Sequence, residues 1–170
     1  GQGKGRVVLQ TFETASLKEL QKEMPNTPKI LLLWVGEGSI EPKSKVTFAE
    51  SGEPTKAAYY AKQEPKDAAE FEKWVDEAKS LGAIGTGPSA QLTNLGDQSY
   101  SDLVKPEMNQ LTHDKGLLVH VYTVDEPVDF EKVMSAGVDG IFTNRAAELL
   151  KFYKRWPSSS VQDLLQDNGY

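Results

Sequence analysis

The sequence Gly116-Leu-Leu-Val-His-Val-Tyr-Thr-Val124, followed by Ala136-Gly-Val-Asp-Gly-Ile-Phe-Thr-Asn144, shows the clearest structural pattern in this chain. Each segment places a short β-branched run directly after a glycine, which predicts strands over 117–124 and 138–143. Between them, Pro127 opens a helical segment that Gly137 ends. Strand, helix and strand in this order predict two parallel strands joined by a crossover helix.

The same alternation extends back to the start of the chain. Apolar periodicity predicts further strands over 6–10, 29–34 and 83–87, and helices over 15–24, 67–81, 103–115 and 145–156. Residues 36–65 interrupt the pattern with Pro42, Pro54 and Pro65, which predicts a long surface excursion. Five strands separated by helices predict an α/β fold with a parallel sheet.

Composition narrows the classes of function. The chain has 170 residues, 38% of them hydrophobic and 26% charged, which is typical of one soluble globular domain. The absence of cysteine excludes thiol catalysis, disulfides and thiolate metal sites. A net charge of -6 argues against nucleic-acid binding, and no apolar run approaches the ~20 residues of a membrane span. The first five residues lack the apolar region of a signal peptide.

Four segments resemble the glycerophosphodiester phosphodiesterase family. The two quoted segments resemble its closing strands, which read roughly Val-x-Trp-Thr-Val and then Gly-Val-Asp-Gly-Ile-x-Thr-Asp. Val7-Val-Leu-Gln-Thr-Phe12 resembles its Val-x-Gln-Ser-Phe strand, and Ala83-Ile-Gly-Thr-Gly-Pro88 resembles a segment of its periplasmic, long-loop branch. Two positions depart from the family: Tyr122 replaces a common tryptophan, and Arg145-Ala146 follows Asn144 where an aspartate and a nearby proline are usual.

The resemblance implies a TIM-type (β/α) barrel of eight strands, of which this chain carries the last five. The His-Arg-Gly motif, the acidic ligands and the Glu-x-Lys strand of the family are absent from the sequence. A complete barrel takes about 250 residues. We therefore predict that residues 1–156 are the C-terminal portion of such a barrel, with the insertion at 36–65, and that residues 157–170 form a tail.

The family resemblance also implies an activity, the metal-dependent hydrolysis of glycerophosphodiesters to an alcohol and glycerol phosphate. Family enzymes use two histidines as acid and base and a divalent cation, Ca or Mg, held by carboxylates. We expect no catalytic or metal-ligating residue in this chain, and no cation bound by it alone. His113-Asp114 falls at a predicted helix end, where an exposed histidine complements the helix dipole.

Substrate-binding residues are expected at the C-terminal strand ends, where a barrel builds its pocket. Trp34 either stacks on substrate or plugs the barrel mouth, and Tyr122 forms either a pocket wall or core. His120 shares a strand face with Tyr122, so it points into the barrel, either towards substrate or as a hydrogen-bonded interior histidine. Asn144 is predicted to cap the last helix, at a common phosphate site. The predicted set is Gln10, Phe12, Trp34, Thr86, His120, Tyr122 and Asn144.

Two rival hypotheses remain at this point. One is a non-catalytic binding or structural half-barrel that pairs with another chain, and the other is a different phosphate-binding (β/α) barrel. Gly85 and Gly87 lack the third glycine of a dinucleotide fingerprint. The expected partners are a small glycerophosphodiester and either the missing N-terminal barrel half or a second copy, because five parallel strands leave edges at 7–10 and 138–143. The resemblance to the periplasmic, long-loop branch of the family and the absence of cysteine favour an extracytoplasmic location. The cytoplasm is the alternative.

Overall fold

A computed structural model describes residues 7–35, 46–155, 160–167 and 169. Its five strands form one sheet in sequence order, and every neighbouring pair is parallel. The strands are β1 Leu9–Thr11, β2 Lys29–Leu33, β3 Gly85–Pro88, β4 Leu118–Val121 and β5 Gly140–Ile141. The predicted α/β fold with a parallel sheet is confirmed, although most strands are shorter than the apolar runs that predicted them.

Helices connect the strands in the predicted alternation. Asp67 caps the helix before β3, since its carboxylate accepts the backbone N–H of Glu70 at 2.9 Å. Gly116 and Gly137 have φ of +76° and +88°, so each ends its helix in the left-handed region. The helices are α1 Thr14–Glu23, α2 Phe48–Ser51, α3 Lys56–Ala61, α4 Ala68–Ser80, α5 Pro106–Asp114, α6 Pro127–Ser135, α7 Ala146–Phe152 and α8 Val161–Asp167, with a 3₁₀ helix at Thr93–Gln98.

One face of the sheet packs against these helices and forms the core. Leu31 and Leu33 of β2 are fully buried with Leu17 of α1 and Phe71 and Val75 of α4. A second cluster lies around α6 and contains Val121, Val124, Phe130 and Val133. Burying these side chains supplies the main driving force for folding, at about 25 cal/mol per Å² of apolar surface.

The opposite face of the sheet is apolar and is open at the amino ends of the strands. Val8, Met24, Ile84, Leu118 and His120 contribute to the lining of a hollow of about 570 Å³ at the amino ends of the strands. Leu118 remains 39% exposed there, although its strand, β4, lies between β3 and β5. This is the face that a complete barrel would enclose.

Residues 46–65 are more regular than the sequence predicted, while residues 36–45 lie outside the described part. Thr47 and Glu50 form a reciprocal capping box that starts α2, and the Thr55 hydroxyl accepts the Ala58 N–H to start α3. Tyr59 is buried, and its hydroxyl donates to the Val46 carbonyl oxygen at 2.7 Å. The predicted excursion thus contains two short helices that the sequence pattern did not predict, each started by a local cap.

The C-terminal part also differs from the prediction. The last barrel helix ends at Phe152 rather than continuing to residue 156, and α8 Val161–Asp167 lies within the predicted tail. Residue 156 of the predicted last helix, residues 157–159, 168 and 170 of the predicted tail, and residues 1–6 lie outside the described residues. Within the described ranges, no helix has the length and apolarity needed to cross a membrane.

Candidate functional site

Four aromatic side chains line a pocket of about 340 Å³ at the C-terminal end of the sheet. Phe12 follows β1, Trp34 follows β2 and Tyr122 follows β4, while Tyr100 comes from the connection after β3. We call this the aromatic pocket. Its position is where (β/α) barrels place their active sites.

Tyr122 lies at the centre of the aromatic pocket. Its ring meets Phe12 edge to face, with centroids 5.4 Å apart and an interplanar angle of 86°. Tyr100 is 6.5 Å from the same ring at 51°. The Tyr122 hydroxyl donates to the Leu33 carbonyl oxygen at 3.1 Å. Burial raises the pKa of the Tyr122 phenol, so the group stays a neutral hydrogen-bond donor.

Two glycines in β3 allow side chains of β2 to pack over this strand. Gly87 lies between β2 and β4, and a Cβ there would lie 2.5 Å from Leu32 Cδ2. Gly85 is equally crowded, with a Cβ position 2.6 Å from the Leu118 carbonyl oxygen and 2.8 Å from Ile30 Cδ1. A side chain at either position would therefore collide with its neighbours.

Buried serines hold Tyr100 in place. Ser99 accepts the Leu92 N–H at 2.6 Å, and the Ser89 hydroxyl donates to the Ser101 carbonyl oxygen at 2.9 Å. Ser99 and Ser101 are both buried, so the loop is anchored on either side of Tyr100. This anchoring fixes the Tyr100 side chain at the pocket without burying it in the core.

Asn144 has a different role from the predicted cap. Its backbone N–H and side-chain amide donate to the Asp125 carboxylate at 2.7 and 3.0 Å, and the Thr143 hydroxyl donates to the same carboxylate at 3.0 Å. The residue at the cap position of α7 is Arg145, so the predicted cap at Asn144 is wrong. Burial opposes ionisation of Asp125, but the hydrogen bonds from Asn144 and Thr143 and the Arg145 charge outweigh it and lower its pKa.

His120 lies below the aromatic pocket, in the hollow at the amino ends of the strands. Its ring sits against Gly140, where a Cβ would come within 2.9 Å of the ring Cδ2, and meets Phe142 at a centroid distance of 6.0 Å. Burial lowers the pKa of His120, although the charge of Asp139 opposes this. His120 is therefore neutral near pH 7. It does not line the aromatic pocket.

Two other predicted residues do not join the aromatic pocket. Gln10 is exposed and lines a groove beside α1 instead. Thr86 is in register with Leu31 and Val119, so its side chain points to the helix layer. Its hydroxyl is buried there without a hydrogen-bond partner. Of the predicted set, the structure thus brings together Phe12, Trp34 and Tyr122.

His113 lies in the last turn of α5, as predicted, but it has a specific partner. Its Nε2 is 2.8 Å from Oδ2 of Asp139, which also accepts the Val119 N–H at 2.8 Å. The pair connects α5 to the ends of β4 and β5. The contact between His113 and Asp139 therefore has a structural role.

Comparison with known proteins identifies the family. Residues 1–148 match the Glycerophosphoryl diester phosphodiesterase family. The chain belongs to this family. A curated glycerophosphodiester phosphodiesterase of Bacillus subtilis (strain 168) is 27% identical over 140 residues, which are 82% of this chain and 34% of that protein.

One solved structure supports the fold, and a second is more distant. A putative glycerophosphoryl diester phosphodiesterase from Silicibacter pomeroyi DSS-3 is 23% identical with a TM-score of 0.50, covering 88% of this chain and 40% of that one. A glycerophosphodiester phosphodiesterase from Parabacteroides distasonis ATCC 8503 is 20% identical with a TM-score of 0.47, covering 86% and 42%. The chain thus spans about a third of the curated relative and two-fifths of these structures. The predicted family and part-barrel fold are confirmed.

The described residues do not fit a metal centre. Within 7–35, 46–155 and 160–167, no three histidine or carboxylate side chains come together as a cation would require. Asp125, at the C-terminal end of β4, is already occupied by Thr143 and Asn144. The divalent cation expected for the family therefore has no donor set in this part of the chain.

Sequence reasoning missed Tyr100. Tyr100 lies between the predicted strand over 83–87 and the predicted helix over 103–115, and no periodicity marks a single tyrosine there. One signal was available: loops that follow barrel strands lie on the catalytic face, so an aromatic residue there is a candidate for the pocket.

Proposed function

We propose that this chain is the C-terminal portion of a glycerophosphodiester phosphodiesterase and that its aromatic pocket binds part of the substrate. The observation that carries the proposal is the convergence of Phe12, Trp34 and Tyr122 at the catalytic end of the sheet, in a chain of this family. The reaction adds water to the phosphodiester, breaks the bond between phosphorus and the alcohol oxygen, and yields the alcohol and glycerol phosphate.

The proposed division of labour follows from the side chains available. Aromatic rings hold and orient an apolar portion of the substrate and exclude water from it. The Tyr122 hydroxyl is engaged with Leu33, so this residue contributes its ring rather than a proton. The acid, the base and the ligands of a Ca or Mg ion would come from outside the described residues, since no metal-binding cluster occurs among them. The cation would offset phosphate charge in the complete enzyme.

We further propose that β1 and β5 pair with the N-terminal half of the barrel or with a second copy. Each of these strands pairs with a single neighbour in the described sheet. The apolar hollow beside His120 would be covered by the same partner. An extracytoplasmic location is proposed on the family resemblance.

The test is to assay the complete gene product, including any segment encoded before Gly1, on glycerophosphocholine with Ca²⁺ or Mg²⁺. We expect turnover, and we expect Tyr122→Ala to reduce kcat/KM by about tenfold, the equivalent of one lost aromatic contact of ~1.4 kcal/mol. Tyr153→Ala, an exposed ring on the C-terminal side of α7, is the control. A complete product that hydrolyses no glycerophosphodiester would support a binding module instead.

A further inference from the structure

We propose that Glu64 is a positioning residue for substrate binding and that it acts through Tyr100. The inference rests on the proposed function, because it assigns to residues 46–65 a part in shaping the aromatic pocket. These residues, the 46–65 segment, contain α2 and α3, and Glu64 lies between α3 and α4. Of the described residues that line the pocket, none belongs to this segment. Any effect of the segment on substrate therefore has to pass through the residues that it holds.

The 46–65 segment has a defined structure of its own. Tyr59 is buried, and its ring meets that of Phe48 at a centroid distance of 5.9 Å, which joins α3 to α2. Thr47 and Thr55 occupy the N-cap positions of the two helices. Because the segment is ordered by these contacts, it can hold neighbouring residues in place.

The 46–65 segment contacts the aromatic pocket first at Trp34. The ring centroids of Tyr60 and Trp34 are 5.8 Å apart, and the two ring planes are inclined at 58°. Tyr60 also meets the buried ring of Tyr59, at a centroid distance of 5.4 Å. Aromatic pairs at such distances are attractive. The ring contacts therefore run without a break from the interior of the segment to a wall of the pocket.

The second contact is made by the carboxylate of Glu64. Its Oε1 accepts the backbone N–H of Asp102 at 2.7 Å, and its Oε2 accepts a hydrogen bond from Lys105 Nζ at 2.7 Å. The Glu64 side chain is only 16% exposed, so water screens the ion pair less than it would at the surface. Hydrogen bonds to a charged group are the stronger class. Glu64 therefore fixes the backbone two residues after Tyr100.

The loop that carries Tyr100 transmits this constraint, because its two limbs are bonded to each other. The Asp102 carboxylate accepts the Gln91 N–H at 3.3 Å, beside the serine contacts described above. On the opposite side, Lys132 of α6 donates to the Gln91 carbonyl oxygen at 2.5 Å. The loop is thus held between the 46–65 segment and α6, and removal of Glu64 releases one of these two sides.

Tyr100 needs this support because packing restrains its ring only in part. The side chain is 36% exposed, and its ring centroid lies 6.5 Å from that of Tyr122. A shift of the backbone at 99–103 would therefore carry the ring away from the pocket. A ring that contacts substrate equally before and during the reaction contributes to KM rather than to kcat. Loss of the Glu64 carboxylate is thus expected to raise KM and to leave kcat unchanged.

The experiment is a double-mutant cycle in the complete gene product, with glycerophosphocholine as substrate. We expect Glu64→Ala and Tyr100→Ala each to raise KM by about threefold to tenfold, with kcat within about twofold of the parent. Because Glu64 acts through the Tyr100 ring, the double variant should have the KM of Tyr100→Ala alone. Losses that add in the double variant, or a Glu64→Ala protein with unchanged KM, would overturn the proposal.

Two further variants provide the controls. Glu64→Gln keeps an oxygen that can accept the Asp102 N–H, so its KM should lie between those of the parent and Glu64→Ala. Glu53→Ala removes another carboxylate of the 46–65 segment, whose partner Lys62 lies in the same segment. We expect this variant to keep the KM of the parent. A KM raised as much by Glu53→Ala as by Glu64→Ala would contradict the assignment to Glu64.

Amide hydrogen exchange in the complete gene product separates positioning from unfolding and needs no substrate. We expect Glu64→Ala to accelerate exchange at residues 99–103 by about tenfold, while α4 and α6 exchange as in the parent. Unchanged exchange at 99–103, or equal acceleration throughout the protein, would overturn the proposal.

The two readouts also distinguish this inference from the proposed function. If the complete product hydrolyses glycerophosphocholine and the cycle is additive, only the positioning role of Glu64 fails. If exchange at 99–103 rises as expected while the complete product hydrolyses no glycerophosphodiester, Glu64 still holds the Tyr100 loop and the proposed enzymatic function fails.

Discussion

The hydroxyl of Tyr122 and the carbonyl oxygen of Leu33 are joined by a hydrogen bond of 3.1 Å that passes from the end of β4 to the end of β2. It passes over the end of β3, where Pro88 is in register with Leu33 and Ser89 is in register with Tyr122. The same carbonyl accepts the Ser89 N–H at 2.9 Å. The Tyr122 side of the aromatic pocket is thus fixed to the sheet.

Tyr122→Phe tests this tie. We expect a loss of about 1 kcal/mol in the free energy of unfolding, the ordinary net value of a hydrogen bond. The loss stays this small because Leu33 keeps its bond from Ser89, so no buried carbonyl is left unpaired. Urea denaturation at one fixed protein concentration measures it, with Tyr153→Phe as the control. An unchanged midpoint would show that the hydroxyl adds no stability.

The pocket was partly predictable from sequence. Phe12, Trp34 and Tyr122 follow apolar runs, and the ends of parallel strands meet at one edge of a sheet, so their convergence follows from strand order. The pairing of Asn144 with Asp125 was not predictable in this way. The strand order places both residues at one end of the sheet, but it does not determine whether Asn144 caps α7 or donates to a carboxylate.

Gly140→Ala tests the packing of His120. The added Cβ would lie 2.9 Å from the ring Cδ2 of His120, so the ring has to move. We expect a loss of about 1–3 kcal/mol in the free energy of unfolding, as for other overpacked sites. In a His120→Ala background the same substitution should cost less, which a double-mutant cycle measures. Purely additive losses would mean that the two residues do not press on each other.

The protonation of His120 should make stability depend on pH. Burial lowers its pKa in the folded protein, so the unfolded chain takes up the proton at a higher pH. The free energy of unfolding is therefore unaffected by His120 protonation well above about pH 6.5, the ordinary histidine pKa. It declines as the pH falls below that value, because only the unfolded chain takes up the proton readily. Comparing unfolding of the parent and His120→Gln across this window isolates the effect. Parallel curves for the two proteins would refute it.

The fold was predictable from the sequence where the apolar residues recur at a regular spacing, and less so elsewhere. The alternation of apolar runs with amphipathic stripes specifies strand order, because short crossovers place successive parallel strands side by side. Strand lengths were overestimated, since an apolar residue just beyond the last ladder bond can be buried without being paired. Residues 46–65 escaped prediction because capping by Thr47 and Thr55 acts over three residues and leaves no longer pattern.

The open edges of the sheet lead to a prediction about association. β1 and β5 each pair with one strand in the described residues, and such edges recruit further strands. We expect sedimentation velocity to show concentration-dependent association of the chain, with slowed amide exchange in both edge strands on association. A cooperative 18.8 kDa monomer with freely exchanging edge amides would contradict the half-barrel account.

The most direct test of the central claim is whether the 170-residue chain hydrolyses glycerophosphocholine by itself. The described residues hold the aromatic pocket but no metal-binding cluster. Release of glycerol phosphate is measured with Ca²⁺ or Mg²⁺, with and without a chelator, beside the complete gene product. We predict chelator-sensitive turnover by the complete product and none by the chain. Turnover by the purified chain that a chelator abolishes would contradict the account.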